Sequence, residues 1–311
     1  MARLIILLFS FAASGAFVAP QGEEKPAPRY MHVMCYAPDA KSVLMFGGAG
    51  ANEIFFGDLW SFSNDKWKKL SDSGPAPRVK FAFAYDVKRK VAVLFSGGGA
   101  EGTLNDTWEW NGHSWKKFEG KGPSGRVHGM MGFDPQSNRI ILTGGFSDGK
   151  LNDTWAFDGK SWTELVNAGI VNDVPHGMFY DDNQRLNLVA GKVEQGETSM
   201  NNTWWILNKD VWEPSHQFVS TSSGSLQAIS AAANNGIVVF DGDDIQNEVA
   251  MTMLYSNGKW DRKHLKGPSP RVGTSMVYDP TAGGVLLFGG SDRKNSFNDV
   301  WIFKEGRWLK L

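Results

Sequence analysis

Residues 270–290 read Pro270-Arg271-Val272-Gly273-Thr274-Ser275-Met276-Val277-Tyr278-Asp279-Pro280-Thr281-Ala282-Gly283-Gly284-Val285-Leu286-Leu287-Phe288-Gly289-Gly290. Asn298-Asp299-Val300-Trp301 and Trp308 follow. The same order starts from Pro28-Arg29, from Pro77-Arg78 and from Arg126. Self-similarity at a fixed period of about 48 residues is the mark of stacked identical units. β-branched and aromatic runs, separated by Asp-Pro, Gly-Gly and Asn-Gly turns, read as short strands joined by hairpins. In this last copy the expected strands are 274–278, 285–288, 300–303 and 308–311. No segment carries sustained helical periodicity.

Working outward, six copies align. The arginine slot holds Arg29, Arg78, Arg126, Asp173, Ser223 and Arg271. Seven residues later stand Tyr36, Tyr85, Phe133, Tyr180, Ser230 and Tyr278. Trp60/Trp67, Trp108/Trp115, Trp155/Trp162 and Trp301/Trp308 recur seven apart, a spacing suited to adjacent strands joined by a tight turn. Such plates can fill the wedge between neighbouring sheets. Trp204/Trp212 are eight apart, which predicts a one-residue insertion in that turn. The fifth copy has Met253 for its first Trp.

On the Gly-Gly pair after an apolar strand and the aromatic pair beyond it, residues 27–311 resemble the kelch family, in its bacterial-style Pro-Arg, Tyr-Asp-Pro, Gly-Gly, Asn-Asp-Thr-Trp variant. The resemblance implies an all-β, six-bladed β-propeller with four antiparallel strands per blade. The segment after each Arg becomes the innermost strand, and the segment with the second Trp the outermost. Blades are expected at about 27–75, 76–123, 124–170, 171–219, 220–268 and 269–311. The chain enters on an inner strand and leaves on an outer one. No strand should then be shared between the termini, and the ring should close by packing alone.

Arg3, the apolar run Leu4–Phe11 and small residues from Ala12 to Ala16 read as a secretory signal at 1–16, cleaved between 16 and 19. Residues 17–26 read as a linker. Export to a secreted or periplasmic location, no stable membrane insertion after signal removal and a monomeric state are the expectations. With 32 Lys plus Arg against 33 Asp plus Glu, the net charge of -1 offers no bulk field for nucleic acid. The single cysteine, Cys35, excludes an intramolecular disulfide and reads as a buried small hydrophobe.

Few motifs carry chemistry. His32, His128 and His176 fall early in inner strands near one channel mouth. His128 is one position out of step and should face the other way. No metal site is therefore expected. Some kelch-like propellers are copper oxidases with a Cys–Tyr crosslink, and Cys35 adjoins Tyr36. No further ligand set is assignable, so no cofactor is expected. Asp241-Gly242-Asp243-Asp244 with Glu248 lacks calcium-loop spacing. Asn105-Asp106-Thr107, Asn152-Asp153-Thr154 and Asn201-Asn202-Thr203 match a glycosylation pattern that the repeat itself explains.

The arginines admit two readings, an anion-binding ring at the channel mouth or structural pairing. The slot two residues before the first Trp holds Asp58, Asp106, Asp153, Asn202, Met251 and Asp299. The four copies with Arg are the four with Asp, which favours pairing. Copies four and five abandon the consensus, and the fifth gains Ser220, Thr221, Ser222, Ser223, Ser225 and Gln227. A ligand is expected on the face where the second-to-third-strand loops and blade linkers emerge. His176, Ser225 and Gln227 are the first candidates, with His32, His128, Arg29, Arg78, Arg126 and Arg271 around them. The leading function is an exported scaffold for a protein or carbohydrate ligand. The alternative is a carbohydrate-active enzyme, such as a sugar-acid epimerase or mutarotase, and a third reading is adhesion through Phe55 and Phe56.

Overall fold

The computed structural model describes residues 24–165, 174–181, 183–193, 200–220, 228–232, 236–244, 249–256 and 259–311. The leader reading of residues 1–16 lies outside them. Six four-stranded antiparallel sheets follow one another along the chain. They span residues 33–71, 82–118, 130–164, 174–220, 228–263 and 275–310. Each falls inside its expected blade, except that blade four runs one residue further, to Ser220. The innermost strands Val33–Ala37, Ala82–Asp86, Met130–Asp134, Val174–Tyr180, Ala228–Ala232 and Ser275–Asp279 adjoin in a closed circle, the sixth meeting the first. This is a six-bladed β-propeller, and among the described residues no strand is shared between the termini.

The strands form where alternating apolar and small residues can be buried on both faces. The second strands are the most apolar: Ser42–Phe46 and Gly284–Phe288 are buried at every position. The core therefore lies in the seams between blades, as separate clusters that each draw on two adjacent blades. The second Trp of a blade packs on a Phe of the second strand of the preceding blade. Centroids are 5.4 Å apart for Trp115–Phe46 and Trp162–Phe95, and 5.9 Å for Trp308–Phe240. The closing seam repeats the contact, with Trp67 4.8 Å from Phe288.

In blade four the extra residue is not in the turn. Asn208 still pairs with Val211 across a two-residue turn, as Ser63 does with Lys66 in blade one. The third strand instead runs one residue further before the turn, five residues from Trp204 to Asn208 against four from Trp60 to Ser63, while both blades carry a ladder shift four pairs from the turn, between Trp204 and Trp205 and between Leu59 and Trp60.

Candidate functional site

Each repeat arginine is buried and works as a clamp. Arg29 Nε donates to the Ala27 carbonyl at 3.1 Å and Nη1 to the Gly47 carbonyl at 3.0 Å. Its fork meets Asp58 at 2.7 and 2.9 Å. Arg78–Asp106, Arg126–Asp153 and Arg271–Asp299 repeat this arrangement, with shortest contacts of 2.6, 2.6 and 2.5 Å. One side chain thus ties the blade linker to both ends of the second-to-third-strand loop. In Arg126 and Arg271 a remaining N–H reaches Ser124 or Ser269. Phe56 and Phe297 stack on Arg29 and Arg271, 4.1 and 4.0 Å from centroid to guanidinium carbon. The first Trp of the repeat completes the cluster, donating to the same aspartate from Trp60, Trp108, Trp155 and Trp301. Burial pushes these carboxyls up. Hydrogen bonds and charge from the arginine outweigh it and hold all four below the usual range.

This geometry gives Arg29, Arg78, Arg126 and Arg271 a structural role in place of an open anion ring, for they are 0–2% exposed. Phe56 is likewise spent on Arg29, and Phe55 and Phe56 are only half-buried neighbours of a groove that Gly57, Asp72 and Pro75 also line.

The clamps shape the face that the linkers and loops share. Tyr30 bridges Ala49, Val79 bridges Gly98, Val127 bridges Phe146, and Val272 bridges Ser291. Two residues after each arginine the backbone turns left-handed, at Met31 (φ 56), Lys80 (φ 55), His128 (φ 57) and Gly273 (φ 68). For side-chain-bearing residues this conformation is uncommon and needs outside support. Support comes from a collar of hydrogen bonds running between blades. Met31 N–H donates to Gly273 at 2.7 Å, Lys80 N–H to Met31 at 3.4 Å, and His128 N–H to Lys80 at 2.9 Å. The corresponding position in blade four is Pro175, which has no N–H to continue it. Of these residues only His128 was a candidate from sequence. Met31 and Lys80 were missed, and the glycine at 273 was the one signal of the shared backbone.

His32 and His128 part company, as their one-residue offset requires. His128 is exposed on the collar, edge-on to Phe146 at 6.4 Å. Enclosure by the channel wall, then the Lys80 charge, lowers its pKa. His32 is not channel lining. It is 3% exposed in the closing seam, edge-on to Phe288 at 5.3 Å, where the next seam has Phe81 edge-on to Phe46 at 5.5 Å. Neither of its ring nitrogens has a hydrogen-bond partner among the described residues. His176 falls on the innermost strand of blade four at a β-bulge between Pro175 and Gly177. Ser225 and Gln227 lie outside the described residues. Among the described residues no group of three or more His, Cys, Asp or Glu is placed to hold a metal. Cys35 is buried, and burial raises its pKa.

A model of the KLHDC2/KLHL20/DRC7 kelch-repeats domain matches residues 5–177. Dynein regulatory complex subunit 7 of Chlamydomonas reinhardtii is 37% identical over 79 residues, 24% of this chain and 7% of that protein. The match therefore spans only a small part of that relative. Among solved structures, "YCF48 bound to D1 peptide" aligns at TM-score 0.50 and 14% identity, over 92% of this chain and 84% of that one. A gluconolactonase from Xanthomonas campestris aligns at TM-score 0.56 and 11% identity, over 86% and 85%. Kuenenia stuttgartiensis hydrazine synthase aligns at 0.58 and 12%, over 92% and 80%. At such identities these likenesses concern the fold alone. With its clamp repeated in four blades and the family model matching more than half its length, this chain belongs to the kelch-repeat family.

Proposed function

We propose that this kelch propeller is a binding scaffold whose ligand, a protein segment, seats at the channel mouth. The collar carries the reading. Met31, Lys80, His128 and Gly273 share one backbone conformation and a common bridging pattern yet present four different chemistries. Buried arginines fix the frame beneath, so the side chains above are free to specify a ligand. Relatives named for a regulatory complex and for a bound peptide are consistent with a protein partner. Residues 1–16, read as a leader, would place that partner outside the cytoplasm.

The test is a photo-crosslinking residue at position 80 of the full chain, probed in an extract of its own cells. Position 88, on the turn at the other end of blade two, is the control. A discrete adduct from 80 alone is expected. Equal adducts from both positions, or none from 80, overturn the reading. Epimerisation or mutarotation of a sugar acid that disappears in His128→Ala would replace it with the enzyme alternative.

A further inference from the structure

The outermost strand of each blade is a sheet edge. On four consecutive blades, five, six, one and two, that edge is basic. Its sequences are KWDRK at Lys259–Lys263, RWLK at Arg307–Lys310, KWKKLS at Lys66–Ser71 and WKKF at Trp115–Phe118. Together they hold ten cations and one acid, Asp261. The edges of blades three and four, Trp162–Glu164 and Val211–Ser220, hold no Lys or Arg and carry Glu164 and Glu213. A chain of net charge -1 thus concentrates positive charge on one arc of its rim.

Charged side chains on an edge strand discourage pairing with another sheet. That need is met by a charge or two per strand, and it does not ask for clustering on neighbouring blades. Some of the cations are engaged: Lys69 with Glu24 and Asp72, Lys263 with Asp261, and Lys310 with Asp299. Lys68, Lys116, Lys117, Lys259 and Arg307 point into solvent.

We propose that this arc binds a linear acidic polysaccharide, independently of the channel mouth. The arc is convex and spans four of six blades, so a flat bilayer would meet only a small part of it, whereas a flexible chain can follow it. The second-Trp rings on these strands are buried or half-buried in the seams, which leaves no aromatic platform for stacking bases.

The probe is a fluorescent heparin dodecasaccharide, titrated with the full chain at low salt, with polygalacturonate as the carboxylate-bearing counterpart. Binding of either polymer is expected, weakening as salt rises because the contacts are ionic. The variant Lys68→Glu/Lys116→Glu/Lys117→Glu should lose about tenfold or more in affinity. Lys68→Gln/Lys116→Gln/Lys117→Gln provides a milder set, and a thermal melt verifies that each is folded. Lys80→Ala, at the channel mouth, should bind the polymer like wild type, which separates failure here from failure of the scaffold reading. Binding of neither polymer, undiminished affinity in the folded variants, or tighter binding to oligo-dT or phosphatidylglycerol vesicles overturns the proposal.

Discussion

A guanidinium with almost no exposure is costly unless its donors are met, and the clamp meets them with a carboxylate fork and two carbonyls. Removing one partner strands the other charge, so Arg78→Ala or Asp106→Ala should each cost about 3–5 kcal/mol by chemical denaturation. An unchanged midpoint for both would remove the clamp from the account of stability. His32 is the opposite case, a polar ring in a seat where the neighbouring seam uses Phe81. Burial, then the Arg29 charge, pulls its pKa from 6.5 to about 3. The folded protein keeps this ring neutral while the unfolded chain protonates below about 6.5, so its contribution erodes as pH falls from there toward 3. His32→Phe should raise the melting temperature, and by more at pH 5 than at pH 7.5. A gap that does not widen in acid would show that His32 is not the source of that sensitivity.

At the scale of strands and seams, one position explains which tryptophans find a partner. The residue after the repeat Asp is Leu59, Thr107, Thr154, Thr203, Thr252 or Val300. Where it is Thr107, Thr154 or Thr252, its hydroxyl accepts from the second Trp of the next blade, Trp162, Trp212 or Trp308, at 3.1, 3.3 and 2.9 Å. Where it is Leu59 or Val300, the facing Trp115 and Trp67 keep a buried N–H with no partner among the described residues. Val300→Thr is nearly isosteric and should add about 1 kcal/mol by supplying that acceptor. Trp67→Phe in the same background should erase the gain; a gain that survives has another origin. The arginine clamps were legible in sequence, because Arg and Asp vanish together from copies four and five, whereas the Thr–Trp bond was not, because it joins residues of different copies. The collar was not, because Met31, Lys80 and His128 share a backbone conformation and nothing in their side chains. His32 was misread because its slot was compared with other histidines and not with Phe81. The extra residue of blade four was placed in the turn because the Trp204/Trp212 spacing counts residues without saying whether the turn or the strand before it holds the extra one.

For the whole molecule the question is whether a ring closed without a shared strand is weaker where its ends meet. The closing seam has the contacts of an internal one. Gly290 N–H donates to the Arg29 carbonyl at 2.9 Å, as Gly48 N–H does to Arg78 at 2.9 Å. Arg29 N–H reaches Phe297, as Arg78 N–H reaches Phe56. Tyr36 of blade one meets Thr281 of blade six at 2.8 Å, and Tyr85 of blade two bonds Asp39 of blade one. Trp67 and Trp115 are counterparts, each packed on the preceding blade's Phe and each without its hydroxyl partner. What differs is the covalent link, which holds blades one and two together when their seam opens and does nothing for blades six and one. Trp67→Ala and Trp115→Ala should both cost about 3–5 kcal/mol in global unfolding. If noncovalent packing sets closure, the two losses should agree within about 1 kcal/mol, as expected for equivalent cavities. Hydrogen exchange then separates the seams. In Trp67→Ala, the inner strands Val33–Ala37 and Ser275–Asp279 should exchange faster than the rest, because opening there needs no chain to unfold. In Trp115→Ala the linker should keep the seam registered and protection should fall globally. Selective exchange at an internal seam, or a Trp67→Ala loss well below that of Trp115→Ala, would mean that the ring is closed by something other than this packing.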